Sequence, residues 1–262
     1  MKKFIPFVMA AAFVLPSAVS AWNVPDETLH YTIHYKWGFL DADAGVATLS
    51  TRTFPDSGTF QATLTGQSVN MLGHVYAAGD TIRGTIMSDS IRSVYTEHLS
   101  HESGEFAIET YTYDKSGSSS DGQIIKRLPG GQVVRSRISH YGGGVTLDLL
   151  GVFYYMRQID YGQMNVGDKV TVNVLAGEAP ETLDITYNGG TQVSINGKPR
   201  DAYSISLTFT AVGNGKTTSD NMEALISTDD TRIPLQVKGN MKFGHILCTY
   251  LDSVAAVQKD TI

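Results

Sequence analysis

A single cysteine, Cys248, stands among 262 residues. The chain can therefore form no internal disulfide and no zinc site of the Cys-x-x-Cys kind. Charge is sparse as well: 18% of residues are Asp, Glu, Lys or Arg, and the formal net charge is −6. A chain that grips DNA or RNA by its phosphates needs a basic surface, so this balance argues against a nucleic-acid partner. No Gly-x-Ser-x-Gly elbow occurs, and the commonest serine hydrolase signature goes with it. Beyond the first 21 residues no apolar run approaches the roughly 20 residues that a membrane-spanning helix takes. What the chain does have is 42% apolar residues, 26 glycines, 13 tyrosines and 10 phenylalanines. That is too apolar for a disordered chain. The length fits one large all-β domain or two small domains.

The first residues have the form of an export signal. Lys2 and Lys3 are a basic start, Phe4 to Leu15 is a short apolar run broken by Pro6, and Ala18-Val19-Ser20-Ala21 is a small-residue cleavage region. Cleavage is expected after Ser20 or Ala21, leaving residues 22–262 as one β-sandwich domain. No Cys lies near the cleavage region, so a lipid anchor on an N-terminal Cys is excluded. Loss of Lys2 and Lys3 takes the formal charge from −6 to −8. The mature chain is expected to be soluble, exported and periplasmic. Cys248, between Leu247 and Thr249, reads as a buried structural thiol.

Period-two alternation dominates the rest. Leu29, Tyr31, Ile33 and Tyr35 fall on one face, with His30, Thr32 and His34 on the other. Similar runs cover 90–101, 105–114, 166–174, 181–187, 191–195, 203–212, 221–228, 234–237 and 242–254. Such runs, rich in Thr, Val, Tyr and Ile, predict strands with one buried face. Asn188-Gly189 and Asn196-Gly197 are hairpin signals, because both residues accept positive φ. Pro129-Gly130-Gly131 is a further turn, and residues 116–122 a small polar loop. Two segments break the alternation. In 69–86, Leu72, Val75, Tyr76, Ile82 and Ile86 have helical spacing weakened by Gly79 and Gly84. In 145–158, Leu147, Leu150, Phe153, Tyr154 and Arg157 recur at steps of three and four. The expected fold is all-β: a large antiparallel meander forming a sandwich or open barrel, with one or two short crossing helices.

Tests for catalytic constellations fail one after another. Gly213-Asn214-Gly215-Lys216-Thr217 would be a phosphate loop only with Gly at position 210, which is Thr210. Asp41-x-Asp43-x-Gly45 starts like a calcium loop, but its twelfth position is Arg52. His30 and His34 are about 13 Å apart along a strand, too far to share one metal. His98 and His101 point to opposite faces, and His74, His140 and His245 stand alone. The reading thus names no catalytic residue, no metal ligands and no cofactor. The densest polar cluster runs from Ser227 to Pro234. There Asp229, Asp230 and Arg232 can hold a cation, or tie a tight turn by Asx hydrogen bonds and an ion pair; the turn is the plainer reading. Asp148 and Arg157 can cap and anchor the second helix or line a groove. Tyr154, with Tyr155, adds aromatic surface, where core packing is the plainer role. Trp37, beside Gly38, is a candidate contact point.

In order, Tyr31-x-Ile33-x-Tyr35-x-Trp37-Gly38-Phe39, Ala44-Gly45-x-Ala47, Asp148-Leu149-Leu150-x-x-Phe153-Tyr154-Tyr155-x-Arg157, Ser227-Thr228-Asp229-Asp230-x-Arg232-Ile233-Pro234 and Gly244 resemble a family of exported Gram-negative proteins known only as a domain of unknown function. The resemblance covers nearly the whole mature chain. It implies a large meander β-sandwich, akin to the fold of a lipoprotein from a capsule-secretion operon, and implies no activity.

Three functions follow as expectations. The first is a noncatalytic module binding a lipid, glycan or peptide of the cell envelope, since a curved sheet can present a concave apolar face. The second is a structural or assembly protein working through protein contacts at an exposed strand edge. The third is an envelope-polymer hydrolase using paired carboxylates, which would need Asp148 brought close to Asp229 or Asp230.

Overall fold

The structure, a computed structural model, describes residues 23–252 apart from 69–78, 103, 115–118, 142–143, 178, 214–216, 218–221 and 241–243. The export signal expected in residues 1–21 and the isolated His74 lie outside the described residues.

Fifteen strands and one α-helix are present among the described residues. The first half holds β1 (Glu27–Trp37), β2 (Leu40–Phe54), β3 (Thr59–Ser68), β4 (Gly79–Met87), β5 (Ser93–Glu102), β6 (Glu105–Tyr113), β7 (Ser119–Arg127) and β8 (Val133–Tyr141). A two-residue β9 (Thr146–Leu147) leads into α1 (Leu149–Gln158). The second half holds β10 (Lys169–Val174), β11 (Glu181–Ile195), β12 (Lys198–Ala211), β13 (Met222–Ser227), β14 (Pro234–Asn240) and β15 (His245–Leu251). All fifteen belong to one sheet, in which each half is a meander and the halves join where β1 pairs with β15. Only the short β9–β10 contact is parallel. The sheet is not closed: β8 ends it on one side and β9 on the other. The expected all-β meander with a short helix is thus what forms, as a single open sheet.

The sheet curls around its helix. Leu150 and Tyr154 of α1 share a buried cluster with Leu29, Leu49, Phe60, Ile82 and Ile86 from β1 to β4. Val152 and Met156, on the other flank, share one with Val172, Leu183, Ile185, Leu207 and Ile226 from β10 to β13. A ten-residue helix is marginal alone in water, so its stability comes from these two apolar flanks. Across the open side the Tyr113 hydroxyl donates to Leu175 O at 2.6 Å, tying β6 to the segment after β10.

Several sequence expectations need correction. The helix expected over 69–86 is strand from Gly79 onward, and its first part lies outside the described residues. Ile82 and Ile86 are four apart, a step that fits a helical turn and a strand face equally. Asn188-Gly189 is no hairpin: β11 runs straight through it, with Asn188 as the extra residue of a bulge between Tyr187 and Gly189. Asn196-Gly197 does form the β11–β12 turn, with both residues at positive φ. Within the expected polar loop over 116–122, Ser119 to Gly122 open β7. Gly122 serves there as a space: a Cβ on it would lie 2.6 Å from Ile138 and 2.7 Å from the Tyr111 ring. The run expected over 166–174 is strand only from Lys169.

Candidate functional site

The two ends of α1 gather most of the residues singled out from the sequence. At its start Asp148 is the N-cap, and its Oδ1 accepts from Gly151 N at 2.5 Å. The same oxygen accepts from Ser93 Oγ at 2.8 Å, while Oδ2 accepts from Thr96 Oγ1. Ser93 and Thr96 are three apart, so plain alternation would set them on opposite faces. A bulge solves this: Ser93 pairs with Ile86 and Tyr95 with Thr85, which leaves Val94 as an extra residue. Both hydroxyls then face inward, and all three residues are buried. Burial pushes the Asp148 carboxyl up, against the hydrogen bonds from Thr96, Gly151 and Ser93, which favour the ionised form.

At the other end Arg157 is buried, with both terminal nitrogens paired to the Glu27 carboxylate, Nη2 to Oε2 at 3.3 Å. Nη2 also donates to Thr231 O at 2.8 Å. Thr231 sits in the β13–β14 turn, the cluster read from Ser227 to Pro234. Asp229 Oδ1 accepts there from Ser227 Oγ at 2.9 Å, from Thr231 N at 3.1 Å and from Thr231 Oγ1. Arg232, at φ +49°, donates to Ile159 O at 3.1 Å and lies 5.3 Å from the Tyr203 ring centre. The turn is therefore a clamp on the C-terminal end of α1, where cations also complement the helix dipole. Burial raises the Asp229 carboxyl, but hydrogen bonds from Thr231 and Ser227, with Arg200 at 3.5 Å, bring it below the ordinary range. Asp230 is exposed at the tip of the turn.

Between these ends Tyr154 is packed edge-on against Phe60 at 4.8 Å and Phe153 at 5.3 Å. Its hydroxyl bonds to Thr51 Oγ1, and burial pushes it up to about 12. Tyr154 is core, not aromatic surface. Asp148 and Arg157 are nine residues apart on the helix path, about 14 Å at ~1.5 Å per residue. The structure thus sets Asp148 at the start of α1 and the Asp229–Asp230 turn against its other end, held there by Arg157 on Thr231 O and Arg232 on Ile159 O. A cavity of about 10 Å³, roughly the room of one water, lies beside Asp148, lined by Ile82, Thr96, His98, Tyr111, Leu149 and Ala176.

Trp37, the contact point read from the sequence, is at the surface, but the polar cluster beneath it and a second surface feature escaped sequence reading. Trp37 stands 53% exposed at the end of β1, and Phe39 in the following turn is fully exposed. Just below them His34 bonds Asp43 at 2.9 Å and Asp41 at 2.5 Å, and Lys36 pairs with Asp41 at 2.6 Å. The cross-strand pairs His34–Asp43 and Lys36–Asp41 create this cluster, with Ala44 as a bulged residue. The second feature is the edge strand β8, whose residues Val133 to Arg137 are all exposed. Among the described residues no three His, Cys, Asp or Glu side chains are grouped to hold a metal. No helix among them is long and apolar enough to cross a membrane.

An open meander sheet wrapped on one helix defines the class of fold. The chain belongs to the family described as protein of unknown function DUF3108, which it matches over residues 30–250. The likeness to an unknown-function family seen in its motifs holds. No curated protein matches the chain. Among solved structures it is similar to a beta-barrel-like protein of domain of unknown function DUF1849 from Brucella abortus. That match has a TM-score of 0.52 and 6% identity, and covers 86% of this chain and 94% of that one. A likeness at a TM-score of 0.33 and 6% identity links it to a putative exported protein with YmcC-like fold from Bacteroides fragilis, over 88% of this chain and 98% of that one.

Proposed function

We propose that the chain is an exported, noncatalytic binding module of the cell envelope that holds a polypeptide on the outside of its sheet. The observation that supports this reading is the position of α1. A carrier of lipid would leave the apolar concave face of the sheet open, whereas here Leu150, Val152, Tyr154 and Met156 fill it from both flanks. The outer surface keeps features of the kind that contact partners: a strand edge with no strand partner among the described residues and an exposed aromatic tip. Asp229, Arg232, Asp148 and Arg157 then serve the fold, Tyr154 is core, and Trp37 and the exposed Asp230 are the sequence candidates left for contact.

The test is native mass spectrometry of the mature protein, residues 22–262, purified gently from its own envelope, with crosslinking alongside. The expected result is a bare mass or a polypeptide adduct. A reproducible lipid-sized or glycan-sized mass, lost on denaturation, would overturn the reading. So would turnover of an envelope polymer.

A further inference from the structure

We propose that the outer edge of β8 is the docking site, and that it takes an acidic, extended segment of a partner polypeptide as an added strand. This rests on the binding-module reading above and names its partner class.

Three observations carry it. First, β8 is nine residues long and pairs only with β7, so one row of its backbone N–H and C=O groups has no strand partner among the described residues. The opposite end of the sheet is the two-residue β9, which offers no comparable template. Second, charge is segregated there. From Gly122 to Leu147 the sequence holds Lys126, Arg127, Arg135 and Arg137 and no Asp or Glu, in a chain of net charge −6, while Asp121, just before this stretch, lies opposite Ser139 on the same face and accepts from its hydroxyl at 2.5 Å. Arg135 and Arg137 are exposed, share one strand face, and form no ion pair among the described residues. The register sets Val133 opposite Arg127, which adds a third guanidinium to that face. Third, Val133 and Tyr141, 39% and 76% exposed, bracket the arginines on the same face. An added strand thus meets Val133 beside Arg127 at one end, Arg135 and Arg137 in the middle, and Ser139 with its Asp121 partner before Tyr141 at the other.

Charge also selects the occupant. A second copy of β8 laid against the first would set Arg135 and Arg137 opposite or diagonal to the same arginines, and facing like charges destabilise a strand pair. A strand with Glu or Asp at alternate positions reverses the sign of those contacts. Backbone pairing supplies the affinity, and the side chains supply the choice of partner.

The experiment uses the mature full chain and labelled synthetic peptides of about nine residues, the length of β8. One peptide alternates Glu with Val and Thr, and its twin carries Lys in place of Glu. Anisotropy is expected to show binding of the Glu peptide alone, weakened by salt. The double variant Arg135→Glu, Arg137→Glu, whose fold circular dichroism checks, is expected to bind it about fivefold to tenfold more weakly and to accept the Lys peptide instead. Hydrogen exchange should slow in 133–141. Equal binding of both peptides, protection elsewhere, a dimer through β8 at assay concentration, or anionic vesicles bound in preference to the Glu peptide would each overturn the proposal. The binding-module reading would survive any of these, because the mass of the natively purified protein decides it.

Discussion

The Thr96 hydroxyl donates to Oδ2 of Asp148, a carboxylate 52 positions further along the chain. The contact ties the strand of one meander to the start of the helix on which both meanders fold. It exists because Val94 is an extra residue in β5, which turns Ser93 and Thr96 to the same side.

Thr96→Val keeps the shape and removes this donor. A hydrogen bond to a charged, buried group contributes about 1.5–3 kcal/mol, so the variant is expected to lose that much stability. Urea unfolding followed by circular dichroism measures it, and an unchanged midpoint would sink the assigned role.

The same carboxylate predicts a pH dependence. Burial raises its folded pKa above the ordinary value, so the folded state binds more protons between the two values. Its contribution to stability is therefore largest at low pH and falls as pH rises from the ordinary Asp range through the raised folded value. Asp148→Asn does not titrate. The stability of the native chain relative to this variant is expected to decline from acid toward neutral pH, and parallel urea midpoints across that span test the sign.

Arg157→Met strands Glu27 and the Thr231 carbonyl. Removing one partner of a buried ion pair costs about 3–5 kcal/mol. A thermal melt is expected to show the loss, and Arg157→Lys is expected to recover only part of it, because one ammonium cannot reproduce the two-nitrogen grip on Glu27.

At the β1–β2 tip, hydrogen bonds to Asp43 and then Asp41 hold the His34 imidazolium, so its pKa lies above the usual histidine value. The tip contact is fully present below that usual value and is lost as pH rises through the raised one. Imidazole titration by NMR is expected to show the upward shift, reduced more by Asp43→Asn than by Asp41→Asn. A His34 that titrates like a free histidine would contradict the geometry.

Sequence pattern made visible those strands that have a buried face of large residues, such as 29–35 and 203–212. It missed β2 and β3, whose inner positions include Ala47, Ala62 and Gly66, small residues that give alternation little contrast. It missed β8 because only Ile138 and His140 of this edge strand turn inward out of solvent, too few to show an apolar period. For the site, Asp148 and Arg157 were legible as helix cap and anchor, and the 227–234 cluster as a turn. Their common purpose was not legible. The grip of Arg157 on Glu27 spans 130 positions and its contact with Thr231 spans 74, and local pattern cannot see such distances. The bulges at Ala44, Val94 and Asn188 were equally hidden, since one added residue leaves no mark in composition.

The seam between β1 and β15 has a consequence for how the chain matures. Every other antiparallel pairing joins neighbours in sequence, so each meander can zip as it emerges. The seam cannot: Thr32 lies 217 positions from its partner Thr249. A chain delivered N-terminus first therefore passes an interval in which β1 is a bare edge awaiting the last strand to arrive. Until then the row of backbone groups on that side of β1 is open to any other strand. Loss of the few residues of β15 would leave two half-sheets in place of one.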